Sequence, residues 1–171
     1  MNYKTIILIL IVLLNNEILK GQTIFTDDYK IAQELKRQLQ ELAQDSKNVS
    51  YADLQAQLKD KSCKLQLKNK AKNKKLKKAD LFKQIKKSTF IIGKLFKQEN
   101  SGKEFVYKAS CFAIHENGIF VTNHHVFEDN KFGYSSLGII DDKGNFYRVK
   151  EIIASSNMDD LAIFKIEANG I

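Results

Sequence analysis

The chain has 171 residues, with 43% apolar side chains and a formal charge of +8. That length allows one ordinary domain with extensions, and the apolar share is normal for a globular protein with a packed core. There is no proline and no tryptophan.

The N-terminus opens with Lys4 and an uninterrupted apolar run, residues 5–14 (TIILILIVLL), followed by a polar stretch ending in Gly21-Gln22. About ten apolar residues are too few to span a bilayer core of roughly 30 Å as a helix, but they suit the centre of an export signal. Residues 1–22 therefore read as a signal peptide of a secreted or periplasmic protein, with an uncleaved membrane anchor as the alternative. Residues 23–60 read as a helical extension. Ile31, Leu35, Leu39 and Leu42 recur at helical spacing on one face, and Asp27 and Asp28 sit where a helix N-terminus favours acids. Asn48-Val49-Ser50-Tyr51 interrupts the pattern, and Ser50 with Asp53 resembles a capping box for a second short helix reaching to about Leu58. So few large apolar residues predict a spacer or helical hairpin that needs a partner.

Residues 61–78 read as a basic linker. From Lys59 to Lys103 the only acids are Asp60, Asp80 and Glu99. Such a run is a solvated segment or an attachment to an anionic surface. Nucleic acid is not expected as the partner, because no aromatic side chain that could stack on bases lies between Cys63 and Leu81. Ala79 to Ile85 predicts one or two helical turns within a final domain, residues 79–171.

From Ser88 the pattern changes to strands: 89–96, 104–114, 119–122, 137–140, 146–149 continued by 151–154, and 161–166. Asn100-Ser101-Gly102-Lys103, Glu116-Asn117-Gly118 and Asp142-Lys143-Gly144-Asn145 supply the turns. Six short strands at this spacing predict a mainly β fold, an antiparallel barrel or sandwich.

Two stretches carry the chemistry. One strand runs into Val121-Thr122-Asn123-His124-His125-Val126, and Asp159-Asp160 opens the apolar strand Leu161-Ala162-Ile163-Phe164-Lys165-Ile166. A histidine at a strand end can reach a substrate, and a carboxylate held by a neighbouring strand can fix its tautomer and orientation. With Ala109-Ser110-Cys111-Phe112-Ala113-Ile114 and the turn at Gly118, these motifs resemble the first half of the trypsin-like serine peptidase domain in its HtrA-type form. The likeness covers about Leu81 to Ile166.

The resemblance implies a six-stranded antiparallel β-barrel, the first of a double barrel, preceded by the helical, lysine-rich extension. It implies a serine endopeptidase acting on polypeptides without a cofactor. His125 takes the general-base role and Asp160 orients it. Asp159 is the rival carboxylate, His124 fills the variable motif position as a surface residue, and His115 is a solvated turn residue. Cys111 stands where the family carries glycine.

The family's nucleophile lies in a glycine-flanked serine turn of the second barrel. These 171 residues contain no Gly-x-Ser-Gly motif, and Ser155 and Ser156 lack the flanking glycines. The chain therefore reads as a fragment, inactive by itself. The alternative is an exported binding module that attaches through its lysines. Cys63 and Cys111 form an even pair that an oxidising compartment would let join as a disulfide, with two separate thiols as the other outcome. No metal site is legible, because three scattered histidines and two distant cysteines lack ligand spacing.

Overall fold

The computed structural model describes residues 28–66, 75–98, 100–128 and 133–168. The signal segment and part of the basic linker lie outside these ranges. The chain divides into two compact units, Met1–Glu34 and Leu35–Ile171. Among the described residues the first unit holds only the opening turns of helix α1 (residues 28–44), and every strand belongs to the second. No described helix is long and apolar enough to cross a membrane.

The predicted strands form: β1 (Thr89–Lys97), β2 (Glu104–His115), β3 (Ile119–Thr122), β4 (Tyr134–Ile140), β5 (Phe146–Ser156) and β6 (Leu161–Ile166). They close an antiparallel barrel in the order β1-β2-β3-β6-β5-β4, with β4 returning to β1. Residues 146–149 and 151–154 are one strand, because register shifts at Val149/Glu151 and Ile152/Ala154 bend β5 without ending it. Alternation decides what fills the interior. On β6, Ala162, Phe164 and Ile166 point inward, while Leu161, Ile163 and Lys165 do not. The core gathers Phe90, Ile92, Cys111, Phe120, Leu137, Ile139, Val149, Ile152 and Phe164. Phe120 stacks on Phe164 at 5.6 Å and meets Phe90 edge-on at 4.9 Å.

At the β2–β3 turn, Gly118 has φ +74°, and an added Cβ would stand 2.9 Å from Ile166 Cγ1. Both the backbone conformation and the space require glycine there.

The extension finds its partner in the barrel. Leu35, Leu39 and Leu42 of α1 are buried. Gly93 on β1 lets Leu35 approach so closely that a Cβ at residue 93 would lie 2.9 Å from Leu35 Cδ2. The Ser136 hydroxyl on β4 donates to the Leu39 carbonyl at 2.7 Å. Burying each leucine contributes roughly 2 kcal/mol.

Helix α2 (Tyr51–Ala56) is capped by Ser50, whose Oγ accepts from the Asp53 amide at 3.1 Å and donates to its carboxylate at 2.7 Å. Tyr51 and Leu54 enter the barrel core. Buried Lys94 on β1 holds its ammonium 4.1 Å from the Tyr134 ring centroid and 5.5 Å from that of Tyr51.

The first residues of the expected basic linker are pinned to the barrel. Lys61 and Ser155 exchange backbone hydrogen bonds at 3.0 and 3.1 Å, and Lys59 accepts from Ser155 Oγ at 2.8 Å. The reason is an open edge. β4 pairs with β5 only at residues 146–148, so beyond them one side of β5 needs partners. The Gln57 side chain, accepting from the Ile152 amide at 2.8 Å, and Lys61 supply them. Helix α3 (Lys78–Ser88) is longer than its apolar residues predict and runs straight into β1.

A helix packed this closely should unfold together with the strands beneath it. Leu39→Ala should destabilise the whole barrel by about 2–5 kcal/mol while unfolding stays a single transition, as read by urea titration followed with circular dichroism. An unchanged midpoint would show that α1 contributes nothing to the barrel.

Candidate active site

β3 delivers the histidine. Thr122, its last residue, is buried and donates from Oγ1 to the Ser110 carbonyl at 2.8 Å, which fixes the strand end. The chain then makes a single 3₁₀ turn, His124–Val126, introduced by Asn123. Consecutive side chains in such a turn diverge by about 120°. Val126 and His124 turn inward and His125 turns outward, its side chain 52% exposed.

β6 delivers the carboxylate. Residues 157–160 turn back toward the strand, with the Asp160 amide donating to the Asn157 carbonyl at 3.1 Å. Asp160 has φ +49°, the one positive φ outside glycine among the described residues. Aspartate tolerates this left-handed conformation better than most residues. Pairing of Thr122 with Ala162 then brings the end of β3 beside the start of β6.

The two predicted residues meet there. His125 Nδ1 lies 3.0 Å from Asp160 Oδ1 and 2.9 Å from Oδ2. The His125 backbone amide donates to Oδ1 at 3.0 Å, and the Asn123 side-chain amide donates to Oδ2 at 2.9 Å. An ionised carboxylate only accepts, so contact with Asp160 stabilises the tautomer with hydrogen on Nδ1 and leaves Nε2 as the basic nitrogen. Among the described residues Nε2 makes no hydrogen bond. The His125 backbone N–H above all holds the Asp160 carboxyl below its ordinary range; desolvation opposes it, and the His125 ring and the Asn123 amide add to the lowering.

The rival Asp159 is occupied elsewhere. Its carboxylate accepts from Ser156 Oγ at 2.7 Å, and its amide donates to the same oxygen. The Ser155 hydroxyl is likewise committed, to Lys59. His115 ends β2, with Nδ1 accepting from the Asn117 amide at 3.0 Å.

Two expectations need correction. His124 is buried, not a surface residue, because the 3₁₀ turn rotates it inward; its Nδ1 lies 3.3 Å from Glu128 Oε1 without hydrogen-bond geometry. Cys63 and Cys111 are free thiols and form no disulfide. Cys111 points into the barrel, its Sγ 3.8 Å from the Phe90 carbonyl, and burial pushes its pKa far up. Cys63 lines a shallow groove of about 240 Å³ with the outward residues Leu161 and Ile163. The barrel wall separates the two sulfurs.

Two residues of the site carry no role in the sequence reading. Asn123 braces the carboxylate, and its place two residues before His125 is the signal that could have suggested it. The Tyr51 hydroxyl lies 2.8 Å from the carbonyls of both Phe127 and Glu128, directly after the histidine turn. Nothing local could have indicated that contact, since 76 residues separate Tyr51 from Phe127. No protein-family model matches the chain, and none of the curated proteins compared with it matches either.

Asp160→Asn tests the pair while tolerating the same backbone angle. The depressed carboxyl adds stability that is present above the unfolded-state pKa and is lost as pH falls through the lower folded-state value. The wild type should therefore exceed the variant in stability near neutral pH, and the gap should close in acid below the normal aspartate range, as followed by urea midpoints across pH. Nitrogen-15 shifts of neutral His125 should report hydrogen on Nδ1 in the wild type and a shift toward Nε2 protonation in the variant. Equal tautomer populations in both proteins would contradict the assigned contact.

Proposed function

We propose that this chain supplies the base half of a serine-type endopeptidase acting on polypeptides. One observation carries the reading: the Asp160 carboxylate engages both the backbone amide and the ring Nδ1 of His125. Two attachments fix where the ring sits and which way it faces, as a general base requires. The motif resemblance supports the same assignment from the sequence.

In the proposed reaction, Nε2 of His125 takes the proton from a serine hydroxyl as its oxygen attacks the scissile carbonyl. Asp160 orients the ring and stabilises the imidazolium, and His125 then returns the proton to the leaving amine. Asn123 keeps the carboxylate aimed. No Gly-x-Ser-Gly turn occurs among these 171 residues, so this reading assigns the serine, the oxyanion donors and the pocket that selects substrate to another part of the active protein. The apolar run near Lys4 supports export as the setting.

The test uses the natural product that contains this chain, captured with an antibody raised against the barrel. A fluorophosphonate probe should label it on a serine outside residues 1–171. His125→Ala should abolish labelling and lower peptide hydrolysis by at least about ten-thousandfold. The 171-residue chain alone should stay unlabelled. Hydrolysis that survives His125→Ala, or a captured product that never labels, would defeat the reading.

A further inference from the structure

Helices α1 and α3 are both amphipathic, yet they end in opposite environments. In α1 the three leucines of the barrel unit are buried. In α3 no residue is buried. Leu81 is 47% exposed, Phe82 67% and Ile85 50%, and together they form one stripe, since Ile85 follows the other two at helical spacings of four and three. Lys83, Lys86 and Lys87 lie outside that stripe, and Asp80 is the only acid of the helix. Lys75, Leu76 and Lys77 lead into it, and Lys78, its first residue, stands at the N-terminal end of the stripe, all exposed.

The helix is held at its C-terminal end. Its last carbonyls accept from the hydroxyls of Ser88 and Thr89, with Thr89 Oγ1 2.8 Å from the Ile85 oxygen. Thr89 is already the first residue of β1, so no loop intervenes. Lys86 reaches Asp142 in the β4–β5 turn at 3.2 Å. Phe112, 45% exposed, pairs across the sheet with Thr89 and adds an aromatic ring beside the helix end.

We propose that α3 is an interfacial helix that docks this protein on an anionic lipid surface, with Leu81, Phe82 and Ile85 entering the headgroup boundary and the lysines meeting lipid phosphates. The charge pattern selects this occupant. An apolar stripe bordered by several lysines, with a single acid, complements an extended negative surface that accepts both features at once. A protein groove would satisfy the stripe, but it would need a matching cluster of carboxylates for the lysines. Docking through α3 requires nothing of the His125–Asp160 pair and stands apart from the peptidase reading.

The chain contains no tryptophan, so Phe82→Trp installs a unique reporter at the most exposed position of the stripe. Residues 5–14 are apolar themselves, and co-flotation alone would not locate the contact. The full chain carrying this substitution is mixed at low salt with vesicles of phosphatidylcholine and phosphatidylglycerol in equal parts, or of phosphatidylcholine alone. Emission should shift to the blue only with the anionic vesicles, and added salt should reverse the shift. Lys83→Glu with Lys87→Glu should weaken the response at least about tenfold. Ile85→Trp provides a second reporter should the first disturb folding by circular dichroism. A solvated emission from both reporters on vesicle-bound protein would overturn the proposal. So would an equal shift on uncharged vesicles, or a shift that grows with protein concentration without lipid, which would assign the stripe to a second copy of the chain.

Discussion

The Asp160 carboxylate ties together two strand ends that the backbone ladder alone would leave loosely related. β3 and β6 pair only from residue 119 to 122 and 162 to 165, and both chains turn away immediately beyond that ladder. On one side the 3₁₀ turn offers a backbone amide, a ring nitrogen and the Asn123 amide. On the other, a left-handed residue ends a tight turn. One acceptor group satisfies all three donors. The arrangement of His125 therefore follows from where β6 begins, and a shift of one residue in that register would reverse which side chains face the core.

Around this junction the barrel is completed by segments that precede it in the chain. Residues 35–44 of α1 lie over β1 and β4, where Gly93 leaves room for Leu35 and the Ser136 hydroxyl donates to the Leu39 carbonyl. α2 contributes Tyr51 and Leu54 to the interior. The Tyr51 hydroxyl also reaches the backbone just after the histidine turn, so the same side chain packs the core and steadies the site. The extension thus serves the barrel mechanically, and the residues after α2 continue that service along the open edge of β5.

The contrast between α1 and α3 shows how little amphipathicity alone decides. Both helices carry an apolar stripe. α1 is separated from β1 by α2 and the basic segment, whereas α3 passes into β1 without a loop and buries none of its residues. Its apolar residues stay exposed, whereas Leu35, Leu39 and Leu42 of α1 are buried.

Much of the strand pattern was legible in the sequence, because strand alternation and turn glycines are local signals. β3 and β6 begin and end where their apolar runs do, and Gly118 marks a turn whose angle and space admit no side chain. The roles suggested for His125 and Asp160 rested on motif resemblance, and their proximity could be anticipated from it. Other features required tertiary structure. The closing β1–β4 pairing, the inward rotation of His124, the separation of Cys63 from Cys111 by the barrel wall and the reach of Tyr51 all join residues distant in the chain or depend on which way a short turn winds. Local sequence determines which residues can alternate, turn or cap. Only the closed barrel decides which of them become neighbours, because closure fixes register, and register sets the side of the wall on which each side chain stands.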